Sequence, residues 1–225
     1  MDFEGFVLAA ATADLGDEPA ARGLADAVEF RMDLAADPLA RLDAYDGELP
    51  LIATNRVARE GGEAPAGPER LDALEAAAGH PQVGAVDVEL DALRESNAER
   101  VVEQARERGV TVVVSSHDFT GTPGLDRMQS VLSDAAGRGD VGKLAVTADS
   151  PEDVLALLTA TWEATCDGRR VATMAMGEAG RHSRAVAPLY GSRIGYAPVD
   201  PAEATAPGQY DLATLADLIE RLQSA

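Results

Sequence analysis

Lysine occurs once in this chain, at Lys143, inside the apolar run Val141-Gly142-Lys143-Leu144-Ala145-Val146. Of 19 basic residues the other 18 are arginines, whose guanidinium groups stay charged and are poor nucleophiles. A lone lysine in a strand-like run suits amine chemistry, because an uncharged amine adds to a carbonyl and forms a Schiff base. The competing role is structural: an alkyl stem along the edge of the core, with the ammonium paired to a carboxylate.

His117 is the second residue whose position suggests chemistry. It closes the run Thr111-Val112-Val113-Val114 in the segment Ser115-Ser116-His117-Asp118, and its ordinary pKa of about 6.5 suits proton transfer near neutrality. The other two histidines are elsewhere, His80 in a turn before Pro81 and His182 in a Gly- and Arg-rich loop. The three lack the helical spacing of a zinc site, so no catalytic metal is expected. Charged residues also alternate or end apolar runs in Glu29-Phe30-Arg31-Met32-Asp33, Ala53-Thr54-Asn55-Arg56 and Val86-Asp87-Val88-Glu89. On strands of period two, Glu29, Arg31 and Asp33 share one face. The stretch Met174-Ala175-Met176-Gly177-Glu178-Ala179-Gly180-Arg181-His182-Ser183-Arg184 lacks the order and the lysine of a nucleotide loop. Its Arg181 and Arg184 suit one carboxylate or phosphate, because guanidinium offers a two-pronged fork.

The elements that must position these groups alternate along the chain. Strand-like runs are predicted at about 6–12, 27–33, 50–56, 83–90, 111–118, 141–147, 171–177 and 192–197. Between them lie helical segments such as Asp72 to Ala78, Asn97 to Arg108 and Pro151 to Thr165. Ser150 would cap the last of these, with Pro151 at its first position and Asp153 in its first turn. Gly79, Gly109 and Gly168 would end helices. Such alternation demands parallel strands with right-handed crossovers. Eight units in 225 residues predict a single α/β domain over 1–225, a (β/α)8 TIM barrel, with an open doubly wound sheet as the alternative. In a barrel the chemistry sits at the C-terminal strand ends, where His117 and the charged residues fall.

Composition narrows the partners. A net charge of −20 opposes nucleic acid and anionic membranes, since phosphate would be repelled. No apolar run spans a bilayer and Met1-Asp2-Phe3-Glu4 is no signal peptide, so a cytoplasmic location is expected. The acid is spread through helical segments such as Glu99-Arg100-Val101-Val102-Glu103, a surface like that of proteins from salt-loving organisms. The single Cys166 excludes an internal disulfide.

Seven segments in order resemble the type I 3-dehydroquinate dehydratases of the shikimate pathway. They are Glu29 to Asp33, Pro50 to Arg56 followed by Glu60-Gly61-Gly62, Asp87-Val88-Glu89, Ser115 to Phe119, Gly142-Lys143, Met174 to Gly177 with Ser183-Arg184, and Ala206-Pro207-Gly208-Gln209. The resemblance implies a (β/α)8 barrel that uses no metal or organic cofactor and dehydrates 3-dehydroquinate to 3-dehydroshikimate by syn elimination through an imine. It implies Lys143 as nucleophile, His117 as proton shuttle and Glu60 as its orienting partner. Glu29, Arg31 and Arg56 would hold ring hydroxyls, Met174 and Met176 line the ring pocket, and Arg184 pair with the substrate carboxylate. Gln209 and Thr205, the latter where the family is expected to have serine, would sit on a closing loop from Pro198 to Gln209. Desolvation and the charges of Arg31 or Arg56 would favour a neutral Lys143. The likeness also implies a homodimer serving aromatic amino-acid biosynthesis. The chain begins almost at strand one, so helix packing or a dimer partner would cover the lower end of the barrel. Two rivals keep part of this evidence: a small class I aldolase using Lys143, and a non-catalytic barrel that binds a small acid through Arg184.

Overall fold

Residues along each strand alternate between two apolar environments, and the sheet follows from that alternation. The computed structural model describes residues 1–95, 98–200, 202 and 206–224. Its strands are β1 (Val7–Thr12), β2 (Ala27–Arg31), β3 (Leu51–Thr54), β4 (Val83–Glu89), β5 (Thr111–Asp118), β6 (Val141–Thr147), β7 (Val171–Met176) and β8 (Ile194–Pro198). All pair in parallel, each with its sequence neighbour from β1 to β7, and β1 also pairs with β8. A single bridge between Val171 and Ser192 and the bond from Arg193 N to Val171 O (2.8 Å) bring β8 against β7, so the barrel is nearly closed. The open sheet is thereby replaced by the predicted (β/α)8 arrangement.

Outward positions such as Val28, Phe30, Val86, Val88, Val112, Val114, Leu144 and Val146 pack against the surrounding helices in one large core. Inward positions change character with height. Ala27, Ala85, Val113 and Val141 form an apolar lower layer. One dyad higher, the same strands present Glu29, Asp87, Ser115 and Lys143. On these strands, inward-facing charge is thus confined to the upper half of the barrel.

The first residues of the chain pack against the lower end, in place of the helix expected there. Phe3 is fully buried among Ala9, Ala27, Ile52 and Ala85, and Met1 packs on the same cluster. Thr111 Oγ1 donates to Met1 O, and Arg170 pairs with Glu4. Phe3 adopts φ 48°, an uncommon value for a side chain of this size, held by its burial.

Two strands stop two residues earlier than the pattern predicts. β2 ends at Arg31, and Asp33 lies beyond it, where its carboxylate takes both prongs of the Arg31 fork. β3 ends at Thr54 because Asn55 turns away and donates to Arg70 O (3.0 Å). The helix Pro68–Ala77 starts before Asp72, and Glu99–Glu107 occupies the middle of the predicted 97–108 segment, whose Asn97 lies outside the described residues. Helix Pro151–Cys166 opens on a reciprocal cap: Asp153 N donates to Ser150 Oγ (3.4 Å) and Ser150 N to Asp153 Oδ2 (2.9 Å). Gly109 and Gly168 have φ of 70° and 79°, as expected after helix ends. Gly79 does not enter the left-handed region; it closes its turn by donating to Ala76 O (2.9 Å).

Candidate active site

A cavity of about 490 Å³ opens at the C-terminal ends of the strands. Lys143, His117, Glu60, Glu29, Arg31, Arg56, Met174, Met176, Arg184 and Gln209 all line it. Thr205 lies outside the described residues.

Lys143 is buried on β6, with Nζ 3.0 Å from Asp87 Oδ2 and 3.9 Å from Glu29 Oε1. Its position in the barrel depends on Gly142. A Cβ there would lie 2.8 Å from Ala136 N and 2.9 Å from Leu132 O, so only glycine lets the helix Leu125–Arg138 approach the strand this closely. Asp87 is shared. Its other oxygen receives Arg56 Nη2 at 2.7 Å and the Ser115 hydroxyl at 2.5 Å. Burial alone would push the Asp87 carboxyl up, but the Arg56 and Lys143 cations outweigh it and hold the group well below the usual carboxylate range. The network continues through Glu89, which takes Arg56 Nη1 at 3.3 Å, Arg70 Nη1 at 2.7 Å and Val57 N at 3.0 Å. Buried charges are therefore matched in alternation from Lys143 to Arg70.

This changes the expected surroundings of the amine. Arg31 is neutralised by Asp33, and Arg56 by Asp87 and Glu89, so neither faces Lys143 as an unmatched cation. The near neighbours of Nζ are instead two carboxylates and the face of Tyr196, whose ring centroid lies 4.1 Å away.

On β5, Ser115 is in register with Lys143 and His117 with Ala145, which sets His117 one dyad above the amine on the neighbouring strand. Glu60 Oε2 sits 3.0 Å from His117 Nδ1 and also accepts from the His117 backbone N at 3.2 Å. Burial, together with the Arg56 and Lys143 charges, holds the imidazole well below the ordinary histidine value, so it is neutral at pH 7. Burial pushes the Glu60 carboxyl up to about 7 against the opposing pull of Arg56. A neutral imidazole oriented through Nδ1 leaves Nε2 available as a base. Glu60 reaches it from the 3₁₀ turn Ala58–Glu60, which ends at Gly61 with φ 79°, where Phe119 covers the glycine.

The two arginines of the loop after β7 separate. Arg181 stacks on Tyr210, 4.2 Å from its centroid. Arg184 turns into the cavity from the short helix Ser183–Val186; it has no carboxylate partner among the described residues, and its nearest acceptor is Pro207 O at 3.5 Å. Burial lowers its pKa to about 10. A buried cation without a countercharge favours an anionic ligand. Across the mouth, Gly177 N donates to Pro207 O at 3.2 Å and Ala206 N to Gln209 Oε1 at 3.1 Å, which brings Ala206 and Gln209 to the cavity.

The sequence model of the type I 3-dehydroquinase family matches residues 9–224. The chain belongs to this family. Proteins named 3-dehydroquinate dehydratase from Haloarcula marismortui and Halobacterium salinarum are 63% and 54% identical, with 100% and 99% of this chain and 99% and 100% of theirs covered. The crystal structure of 3-dehydroquinate dehydratase from Geobacillus kaustophilus superposes with a TM-score of 0.87 at 32% identity, over 98% of this chain and 92% of that one. A type I 3-dehydroquinate dehydratase from Clostridium difficile gives 0.86 at 26%, over 98% and 94%. As a member of the type I 3-dehydroquinases the chain is an enzyme of the hydro-lyase class.

Two residues beside the amine of this dehydroquinase were given no role in the sequence. Asp87 appeared there in the alternating run and in a matching segment, and Tyr196 only within the strand predicted at 192–197. What reveals both is their distance from Lys143 Nζ.

Proposed function

We propose that this enzyme removes water from 3-dehydroquinate to give 3-dehydroshikimate through an imine between substrate C3 and Lys143 Nζ. The observation that carries the proposal is a buried amine, the chain's only lysine, in one cavity with a neutral imidazole on the next strand. The Clostridium difficile relative was solved with covalently modified comenic acid, which agrees with covalent chemistry in this family.

In the proposed sequence, Nζ gives its ammonium proton to the neutral His117 and adds to C3; the carbonyl oxygen then takes one proton from nitrogen and one back from His117 and leaves as water, giving a protonated imine. That cation draws electrons from C2, so the modest base His117 suffices to take the C2 proton, and the C–H pair becomes the C2=C3 bond of an enamine. The enamine pair then forms C1=C2 and expels the C1 hydroxyl, which takes the proton from His117 and departs as water. Hydrolysis returns the first water, frees Lys143 and releases the enone, so one water is lost overall. Arg184 pairs with the substrate carboxylate, Glu29, Arg31 and Arg56 hold ring hydroxyls, and Met174 and Met176 form the apolar wall. Gln209 contacts the ring from the mouth of the cavity, and the contact expected of Thr205 falls outside the described residues. Asp87 keeps a countercharge beside the nitrogen throughout. By the same family likeness we place the reaction in aromatic amino-acid biosynthesis, in a cytoplasmic homodimer.

The test is borohydride reduction in molar KCl with 3-dehydroquinate, read by intact mass and peptide mapping. A substrate-sized adduct on the Lys143 peptide is expected, together with a product absorbing in the near ultraviolet as an enone. Lys143→Ala is expected to lose both the adduct and turnover; an active Lys143→Ala enzyme would sink the mechanism. Release of an aldehyde in place of the enone would favour aldol cleavage.

A further inference from the structure

We infer that the aromatic ring of Tyr196 is a further catalytic group, which keeps the imine nitrogen on Lys143 protonated; the inference rests on the imine reading above. Tyr196 stands on β8, opposite Ala9 of β1 in the lower layer, and is only 4% exposed. The face of its ring lies 4.1 Å from the atom that becomes the imine nitrogen.

The argument turns on what changes at that nitrogen. An ammonium has three N–H bonds to offer: one goes to Asp87 Oδ2 at 3.0 Å, and Glu29 Oε1, 3.9 Å away, is a charge partner beyond hydrogen-bond reach. A protonated imine has one. Its single N–H can serve at most one of the two carboxylates, and its charge is spread over the C=N bond. The ring needs no N–H to hold a cation, because its quadrupole attracts diffuse, weakly hydrated charge. Only the protonated form draws electrons from C2, so a group that favours it over the neutral imine sustains the elimination.

The carboxylates facing this nitrogen act with the ring, but each is already engaged elsewhere. Asp87 on β4 is shared with Arg56, whose cation opposes a second positive charge. Glu29 on β2 already accepts from the Thr54 hydroxyl at 3.0 Å. His117 on β5 is held neutral by burial and by the Arg56 and Lys143 charges. The Tyr196 phenol is itself pushed well above its ordinary value by burial, then by Glu29 and Asp87, so it meets the nitrogen as a neutral ring and not as a phenolate. Its hydroxyl has no hydrogen-bond partner among the described residues. Removing that hydroxyl therefore leaves the ring contact in place, which separates the two parts of the side chain.

The test is the pH profile of kcat in molar KCl for the wild type, Tyr196→Leu and Tyr196→Phe, and for a series of increasingly fluorinated phenylalanines at this position. Tyr196→Leu is expected to move the alkaline limb down by about one pH unit, a loss of about tenfold at the alkaline end. Tyr196→Phe should keep the limb where the wild type has it, and each added fluorine should lower it stepwise as the ring quadrupole weakens. An equal displacement in Tyr196→Phe and Tyr196→Leu, or a limb that ignores the fluorine series, overturns the inference. Should Tyr196→Leu fail to fold, the nearly isosteric fluorinated series decides alone. Borohydride trapping of the wild type separates the two levels: without an adduct the imine reading itself fails, whereas an adduct with a limb indifferent to the ring removes only the role of Tyr196.

Discussion

At Glu60 and His117 a single contact decides how the base works. Burial pushes the carboxyl up to about 7 and the imidazole well below its ordinary value. As pH rises through about 7, Glu60 loses its proton and becomes the anion that holds Nδ1–H of His117 and balances the imidazolium formed during proton transfer. The sign follows: kcat/KM should climb through about pH 7, and Glu60→Gln should flatten that rise and lower kcat roughly tenfold. A rise that persists unchanged in Glu60→Gln would assign it to another group. The residue types were legible in the sequence because lysine is unique and His117 ends an apolar run. The alternating charges from Lys143 through Asp87, Arg56 and Glu89 to Arg70 were not. They connect β6, β4, the end of β3 and a helix, and the paired residues stand 19 to 56 positions apart (70 to 89, and 87 to 143), which leaves no local pattern.

Elements matter here through how closely they approach. The strand carrying Lys143 is reached by the helix Leu125–Arg138 at Gly142, where a side chain would collide with Ala136 N and Leu132 O. Gly142→Ala should therefore cost about 1–3 kcal/mol in chemical denaturation and reduce kcat more than it raises KM, because the displaced strand carries the nucleophile. Wild-type stability in that variant would show that the helix yields freely. Strand positions were readable from hydrophobic runs, and the Ser150–Asp153 cap from three-residue spacing, since both arise within a few residues of chain. The early ends of β2 and β3 were not, because Asp33, folded back on Arg31, also accepts from Glu63 N and Asn55 donates to Arg70 O, partners whose positions the barrel sets.

For the molecule as a whole, a net charge of −20 must be held on a folded surface. In molar salt the Debye length falls to about 3 Å, and this self-repulsion is screened. The melting temperature and activity should rise together between dilute buffer and molar KCl, as suits a chain 63% identical to its Haloarcula marismortui relative; equal melting in both media would disprove the screening account. What the sequence by itself determined is the order of strands and helices, the polarity of the surface, and which side chains have the chemistry for an imine and a proton shuttle. These are properties of composition and short-range period. Only the tertiary structure decided that residues 1–4 pack against the lower end of the barrel, that Arg184 rather than Arg181 enters the cavity, and that Asp87 and Tyr196 flank the amine. Barrel closure brings β4, β6 and β8 around one axis, and the distances across that axis have no counterpart along the chain.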